Sequence, residues 1–273
     1  MSREQLHAFH ARRPQSAFGP RLPTIQVAGV RDLAEARLLD RLGVDLVGFP
    51  LRLDVHAPDL SEAQAVEVIH AAGIAGKSVL ITYEADPAEV VALCRALGVR
   101  LVQLHGQIQP EVCRRIKALD PGLGVMKSIV VGRDGGRHGE TALGGRAGTQ
   151  AGARDQGPGS QARLSAMLAE YAPFVDAFLT DTFDPATGAS GATGRTHDWS
   201  LSRALAQAAS SLDRPLMLAG GLNPGNVAAA IRAVRPWGVD AHTGLEDASG
   251  RKDPDKVRRF VEEARAAFGG LAD

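Results

Sequence analysis

Several features that mark common protein classes are scarce in this sequence, and each absence excludes a class of function. The formal net charge is +0, with 31 Lys and Arg against 31 Asp and Glu, which argues against non-specific nucleic-acid binding and polybasic membrane contact. No apolar run approaches the roughly 20 residues that a membrane span requires, and residues 1–22 lack the apolar core of a signal peptide. We therefore expect a cytoplasmic protein without nucleic-acid or membrane partners, and we interpret residues 1–22 as an N-terminal extension.

Cysteine and metal-ligand patterns are scarce as well. The only two cysteines, Cys94 and Cys113, lie in segments with helical spacing, which is typical of reduced thiols in the cytoplasm rather than of a disulfide framework. A single disulfide between them stays open at this stage. The histidines show no H-x-x-x-H or similar spacing, so we predict no metal site and no cofactor.

What the sequence does contain is a regular alternation of two kinds of segment. Longer Ala-rich segments with helical spacing, such as "LSEAQAVEVIHAAG", begin near Asp, Ser or Pro, and several end at Gly, as capped helices do. Between them lie short apolar runs that we predict to be strands: "TIQVA", "VDLVGF", "KSVLITY", "VRLVQLH", "GVMKSIV", "VDAFLTD", "PLMLAG" and "VDAHTG".

Eight strands that are apolar on both faces and alternate with helices predict an α/β protein with a parallel sheet. Eight repeats in roughly 250 residues match a single-domain (β/α)8 TIM barrel, which we place at residues 23–273. A doubly wound open sheet is the main alternative, but it usually carries a G-x-G-x-x-G fingerprint after the first strand. "VAGVRD" (27–32) lacks that spacing, and the barrel is therefore favoured.

One segment interrupts the alternation. Residues 132–160 are rich in Gly, Arg and small polar residues and cannot form a core, so we predict a flexible insertion there. The segment follows strand five and would lie on the C-terminal face of the barrel, where active sites are found. Both a lid over the site and a tolerated surface insertion fit this composition.

The candidate chemistry lies at the ends of the last three strands. Asp181, at the end of strand six, is well placed for acid–base catalysis, although a carboxylate there could equally cap a turn or pair with an arginine. Glycine-rich stretches follow strands six, seven and eight: "GATG" (191–194), "AGG" (219–221) and "HTG" (242–244). Such loops either bind phosphate through backbone N–H groups or simply make tight turns.

Five motifs in order resemble the phosphoribosylanthranilate isomerase family, whose members perform an Amadori rearrangement in the tryptophan pathway. The resemblance runs from about Thr24 to Phe268. The motifs are "VDLVGF" at strand two, "VQLHG" at strand four, "TDT…GATGRTHDW" at strand six, "LAGGLNPGNV" at strand seven and "GVDAHTGLEDASGRKD" at strand eight. The resemblance implies a (β/α)8 barrel and a small-molecule sugar-phosphate substrate, with the protein as a monomer or a homodimer.

The resemblance also implies roles for individual residues. Asp181 would be the general acid that protonates the furanose ring oxygen, while His105 and Asp240 would contact the substrate. The phosphate would be held by small residues after strands six, seven and eight: Gly194, Gly220, Gly221, Thr243 and Gly244.

Two positions depart from the family pattern. The family's base is a cysteine in a "K-I-C-G" motif that ends strand one, where this sequence has Ala28, and an alanine methyl cannot accept a proton. The arginine that holds the anthranilate carboxylate in the family falls at Ala57 or Pro58 here. Arg52 lies nearby at a different spacing, and we predict that it contacts the substrate instead.

His242 is the leading candidate to replace the missing base. In a closed barrel, strand eight pairs with strand one, so that His242 would lie beside Ala28. Residues i and i+2 share a face of a strand, and we expect Asp240 to orient His242 and increase its basicity. A histidine with a purely structural hydrogen bond at the barrel rim is the alternative.

Three hypotheses follow. The first is a divergent Amadori-type isomerase that acts on a phosphorylated pentose or aminopentose of altered structure, with Asp181 as acid and His242 as base, and with little turnover of the family's own substrate. The second is a lyase or aldolase that forms a Schiff base on Lys127. The third is a phosphosugar-binding protein without catalytic activity.

Overall fold

The computed structural model describes residues 23–53, 58–131, 158–184, 189–190 and 199–271. Eight parallel strands form one closed sheet, and their bounds are β1 Thr24–Ala28, β2 Leu46–Pro50, β3 Ser78–Thr82, β4 Leu101–Leu104, β5 Gly124–Val131, β6 Ala177–Asp184, β7 Leu216–Leu218 and β8 Gly238–Ala241. Each strand pairs with its sequence neighbours, and β1 also pairs with β8. The predicted TIM barrel is confirmed.

A helix follows each strand and covers the outside of the barrel. The bounds are α1 Leu33–Arg41, α2 Glu62–Ala72, α3 Pro87–Leu97, α4 Pro110–Leu119, α5 Pro158–Tyr171, α6 Trp199–Ser211, α7 Val227–Val234 and α8 Pro254–Gly269. The part of the chain that is described has no helix long and apolar enough to cross a membrane. The predicted extension at 1–22 and most of the predicted insertion at 132–160 lie outside the described residues.

The helix starts show why the sequence folds locally as it does. Asp86 caps α3 by accepting hydrogen bonds from two backbone N–H groups, and Pro87 occupies the first helical position, where its missing N–H costs nothing. Ser61 and Gln64 form a reciprocal capping box at the start of α2. Gly73 and Gly98 adopt the left-handed conformation that ends α2 and α3.

Two apolar cores lie on the two faces of the sheet. The larger core fills the space between strands and helices and contains the fully buried Phe49, Phe178 and Phe260. The smaller core fills the barrel interior with Ala28, Leu46, Val79, Ile81, Leu101, Met126, Ala177, Leu179, Met217 and Ala219. The alternation of inward and outward side chains along each strand produces this division.

Strand six ends later in the chain than we predicted. We predicted that it ends at Asp181, but β6 continues to Asp184, where it pairs antiparallel with a two-residue strand, Ala189–Ser190. Asp181 itself pairs with Val130 of β5. Backbone pairing beyond Asp181 on both sides therefore holds this residue within the sheet rather than at a free strand end.

The seam between β1 and β8 offers a test of barrel closure. A Cβ added at Gly238 would lie 2.6 Å from the carbonyl oxygen of Thr24 and 3.2 Å from the Cε of Met217. We expect Gly238→Ala to lower the free energy of unfolding by about 1–3 kcal/mol, because this backbone oxygen cannot move without disturbing the seam. Urea unfolding followed by circular dichroism measures the change.

Gly76→Ala is the matched control for the same substitution. No heavy atom lies within 4 Å of a Cβ added at Gly76, so its effect should stay within about 0.5 kcal/mol. Equal effects of the two substitutions would contradict a tightly packed seam.

Candidate active site

Polar side chains form a hydrogen-bonded line across the interior of the barrel. The Nε2 of Gln26 donates to the Oε1 of Gln103 at 2.8 Å. The Nε2 of Gln103 lies 2.7 Å from the Nε2 of His105, and the Nδ1 of His105 lies 2.9 Å from the Oδ2 of Asp181. All four residues are buried. The line connects β1, β4 and β6 beneath the C-terminal rim of the barrel.

The direction of these hydrogen bonds indicates the tautomer of the neutral His105 imidazole. Since the Gln103 amide nitrogen can only donate, the Nε2 of His105 accepts. The proton of the neutral imidazole is then on Nδ1, which donates to Asp181. This arrangement orients the carboxyl group of Asp181, which is 2% exposed. The structure thus brings together two residues that the sequence predicted to act in the site, His105 and Asp181.

Asp240 lies on the other side of Gln26. It pairs with Gln26 in the register of β8 against β1. Burial raises the pKa of Asp240 to about 6, although a hydrogen bond with Gln26 and the proximity of His242 and His105 oppose this increase. The Oδ1 atom of Asp240 is buried and has no hydrogen-bond partner within the described residues. A buried polar atom without a partner is typical of a ligand-binding group.

His242 follows β8 and lies against the end of β1. A Cβ added at Gly29 would lie 2.0 Å from the Nε2 of His242, which shows that the imidazole packs directly on the backbone next to Ala28. Gly29 also has a φ of 80°, a conformation that favours glycine. The predicted proximity of His242 to the end of strand one is therefore present in the structure.

The hydrogen-bond partner of His242 differs from the one that we expected. The Nε2 of His242 lies 3.2 Å from the Oε1 of Glu246, not against Asp240. Lys252 approaches the same carboxylate, with its Nζ 2.7 Å from the Oε1 of Glu246. Burial alone would raise the pKa of Glu246, but the hydrogen bonds with His242 and Lys252 lower it to about 2.

Arg52 is already bound by carboxylates. Its Nε lies 2.8 Å from Glu62, and its Nη1 lies 2.9 Å from Glu89 and 3.2 Å from Glu84. These contacts raise the pKa of the guanidinium, with the hydrogen bond to Glu62 as the largest cause. To bind a substrate carboxylate as predicted, Arg52 would have to exchange one of these partners. Ala57, one of the two positions that match the family's arginine, lies outside the described residues.

The glycine-rich loops after β7 and β8 are packed against each other. A Cβ added at Gly244 would lie 2.0 Å from the carbonyl oxygen of Leu222. Gly220 and Gly221 have φ values of 108° and 63°. Within the described residues, the backbone N–H groups of Gly220, Gly221, Thr243 and Gly244 have no hydrogen-bond acceptor. The structure thus gathers these four predicted phosphate-binding residues, whereas Gly194 lies outside the described residues.

Lys127 is on the outer face of the sheet. Its Nζ donates to the carbonyl oxygens of Gly106 and Ser128, and it lies 5.9 Å from the centre of the Tyr171 ring. Burial lowers the pKa of its ammonium group to about 8. Its neighbours Met126 and Ser128 have the inward orientation instead, because side chains alternate along a strand. The Schiff-base hypothesis on Lys127 thus gains no support from the structure.

Sequence reasoning missed four residues of this region: Gln26, Gln103, Glu246 and Lys252. A signal was available for the two glutamines, since each stands two residues before a position already singled out, Ala28 or His105, and therefore shares its face of the strand. The described residues contain no group of three or more His, Cys, Asp and Glu side chains that could hold a metal ion.

Comparisons with known proteins agree with this architecture. Residues 158–263 match the PRAI family, described as N-(5'-phosphoribosyl)anthranilate (PRA) isomerase. An N-(5'-phosphoribosyl)anthranilate isomerase of Haloferax volcanii is 34% identical over 250 residues, which cover 91% of this chain and 96% of the relative. A protein of the same description from Desulforudis audaxviator is 35% identical and covers 89% of this chain and 98% of the relative.

A solved structure shows the same fold. The phosphoribosyl anthranilate isomerase of Thermococcus kodakaraensis superposes with a TM-score of 0.65 at 26% identity, covering 89% of this chain and 99% of that one. The relatives thus match nearly the whole length of both chains, and the family match at residues 158–263 includes Asp181, Asp240 and His242. The chain belongs to the N-(5'-phosphoribosyl)anthranilate isomerase family.

Proposed function

We propose that this protein catalyses the Amadori isomerisation of N-(5'-phosphoribosyl)anthranilate, with Asp181 as the general acid and His242 as the general base. One observation carries the proposal: the imidazole of His242 packs on Gly29, beside Ala28. A group that can accept a proton therefore lies at the end of β1, although the residue there is alanine. The relatives from Haloferax volcanii and Desulforudis audaxviator, which are named for this activity, support the choice of reaction and substrate.

The first step opens the sugar ring. The carboxyl group of Asp181 donates a proton to the furanose ring oxygen, and the bond between that oxygen and the anomeric carbon breaks. The nitrogen lone pair forms a C=N double bond, and the product is an iminium ion. His105 supports this step because its hydrogen bond holds the carboxyl group in one orientation while the proton is transferred.

The second step moves a proton from carbon. His242 removes the proton at C2, and the electron pair of that C–H bond forms a C=C bond as the iminium returns to a neutral amine. The resulting enolamine tautomerises to the aminoketose phosphate. Ionised Asp240, whose pKa lies at about 6 because of burial, supports this step by stabilising the positive charge that develops on the imidazole.

The backbone N–H groups of Gly220, Gly221, Thr243 and Gly244 would bind the phosphate. They lie after β7 and β8, where barrels of this kind bind phosphate groups. The close contact of Gly244 with Leu222 keeps these two loops together. Binding energy from the phosphate, which takes no part in the reaction, then fixes the position of the reacting carbon. The two free, buried cysteines support our expectation that the protein works in a reducing cytoplasm.

An altered substrate is the second candidate. Two observations favour it: Ala28 stands where the resembling enzymes have their base, and three carboxylates occupy the guanidinium of Arg52. A phosphoribosylamine whose substituent lacks a carboxylate would not require an arginine partner.

Turnover of the two substrate classes separates these candidates. We expect the purified protein to convert N-(5'-phosphoribosyl)anthranilate with a higher kcat/KM than an N-phenyl analogue that lacks the carboxylate. The loss of the substrate's fluorescence measures the first reaction, and chromatography of the aminoketose product measures the second. Preference for the analogue would select the altered substrate, and inactivity on both would contradict the proposal.

Removing the imidazole of His242 tests its proposed role as the general base. We expect His242→Ala to reduce kcat/KM about 10²- to 10⁴-fold, since this is the usual contribution of one general base. Adding Ala28→Cys to this variant returns a thiol to the end of β1 and should restore at least a tenth of the activity. Full activity in His242→Ala together with inactivity in Asp240→Asn would instead assign the base to Asp240.

The buried carboxyl group of Asp240 predicts a pH dependence of stability. Its pKa is raised from 3.8 to about 6 in the folded protein, so the stability that it contributes is complete below pH 3.8 and is lost as the pH rises through 6. The shift corresponds to about 3 kcal/mol. We expect Asp240→Asn to stabilise the protein relative to the parent by clearly more at pH 8 than at pH 4.5, as measured by urea unfolding.

Asp255→Asn is the control for the loss of a carboxylate. Asp255 lies on α8 with a side chain that is 82% exposed. A pH-independent difference between Asp240→Asn and the parent would contradict the predicted effect of burial.

A further inference from the structure

Glu246 and Lys252 form a pair next to His242 that the proposed reaction has not yet used. The side chain of Lys252 is fully buried at 0% exposure, and that of Glu246 is 17% exposed. Burying an ammonium group costs free energy unless it is paired, and here the carboxylate of Glu246 pairs with it at 2.7 Å. The same oxygen, Oε1, lies 3.2 Å from the Nε2 of His242.

Several contacts fix this carboxylate in place. The Nζ of Lys252 also lies 3.4 Å from the carbonyl oxygen of His242, which ties the lysine to the histidine's own backbone. Glu246 and Lys252 form an isolated antiparallel bridge, and the Nζ of Lys256 donates to the carbonyl oxygen of Glu246. Contacts of both the side chain and the backbone therefore hold Glu246 in place.

The position of the imidazole follows from these contacts. The Nε2 edge of the imidazole lies between Gly29 and the carboxylate of Glu246. Gly29 leaves space for the ring because it has no Cβ. An ionised carboxylate can only accept a hydrogen bond, so that Nε2 carries the proton when the imidazole is neutral. The lone pair is then on Nδ1, which has no hydrogen-bond partner within the described residues.

We propose that Glu246, held by Lys252, is a positioning residue that keeps His242 in the Nε2–H tautomer and makes Nδ1 the atom that removes the C2 proton. This inference rests on the proposed role of His242. When Nδ1 takes the proton, the imidazole becomes positively charged, and the carboxylate of Glu246 stabilises that charge at short range. The proton then remains on Nδ1 until it is delivered to C1; the C2 hydroxyl loses its proton to solvent as the ketose forms, and Asp181 regains a proton from solvent.

Other charged groups on β8 and on the segments after β1 and β8 have hydrogen-bond partners other than His242. Asp240 lies on β8 below His242 and is bound by Gln26. Arg31, which follows β1, binds Asp59 and the carbonyl oxygen of Ser249. Arg251 binds Asp32 at 2.6 Å. Glu246 is thus the carboxylate in hydrogen-bond contact with His242 in the described part of the chain.

The experiment compares the parent with Glu246→Gln, which keeps the shape of the side chain and removes its charge. We expect kcat to fall about 10- to 100-fold while KM changes less than about twofold. The acidic limb of the profile of kcat/KM against pH should move to lower pH by about one unit, because an imidazole without its carboxylate loses its proton more easily. A purely structural role for Glu246 would lower activity without moving this limb.

Glu35→Gln is the matched control. Glu35 is also buried and contacts the same loop, where it accepts a hydrogen bond from the backbone N–H of Lys252, but it does not touch His242. We expect this variant to keep the pH profile of the parent. A shift of the same size in Glu35→Gln would overturn the specific role of Glu246.

A titration of His242 by NMR separates this inference from the proposed function. In protein labelled with 13C at the histidine Cε1, His242→Ala identifies the signal of His242, and we expect its titration midpoint to fall by about one pH unit in Glu246→Gln. An unchanged midpoint overturns the inference, whereas full activity of His242→Ala overturns the proposed base. Should Glu246→Gln fail to fold because Lys252 is left unpaired, the double substitution Glu246→Gln with Lys252→Met removes both charges and permits the same measurements.

Discussion

The lateral pairing of β1 with β8 closes the sheet, and the position of every candidate catalytic group depends on it. Its register pairs Gln26 with Asp240 and Val27 with Ala241, so that His242 meets the end of β1. Gly238 lies at the lower end of this seam with no space for a side chain. Gly29 lies at its upper end and is in contact with the imidazole. Without closure, the end of β1 and the segment that carries His242 would be at opposite edges of an open sheet.

Closure also explains how so many polar groups are tolerated in the barrel interior. The side chains of Gln26, Gln103, His105 and Asp181 satisfy one another along a single line of hydrogen bonds. Such a network is stable only when nearly every member has a partner, because each unpaired group in a low-dielectric interior is costly. Two buried oxygens in this region have no hydrogen-bond partner among the described residues: Oε1 of Gln26 and Oδ1 of Asp240.

Much of the fold followed from local patterns, and part of the site followed from a resemblance. The alternation of apolar runs and capped helices predicts eight strands and a barrel, and the closed sheet confirms this. Asp181 and His105 were predicted to act in the site, and the structure brings them within hydrogen-bond distance of each other. The orientation of Lys127 toward the helices was also readable, since it stands between the inward-facing Met126 and Ser128. The partners of Arg52 were not readable, because Glu84 and Glu89 belong to a different βα unit.

By itself, the sequence determined the strands and helices, the apolar core that they bury, and the presence of alanine at position 28. These depend on periodicity, capping and residue identity, which are local properties of the chain. Only the tertiary structure decided that His242 is bound by Glu246 rather than oriented by Asp240. His242 lies beyond the end of β8, where the two-residue alternation no longer fixes the direction of a side chain, and the choice of partner depends on the folded path of the loop that carries Glu246 and Lys252.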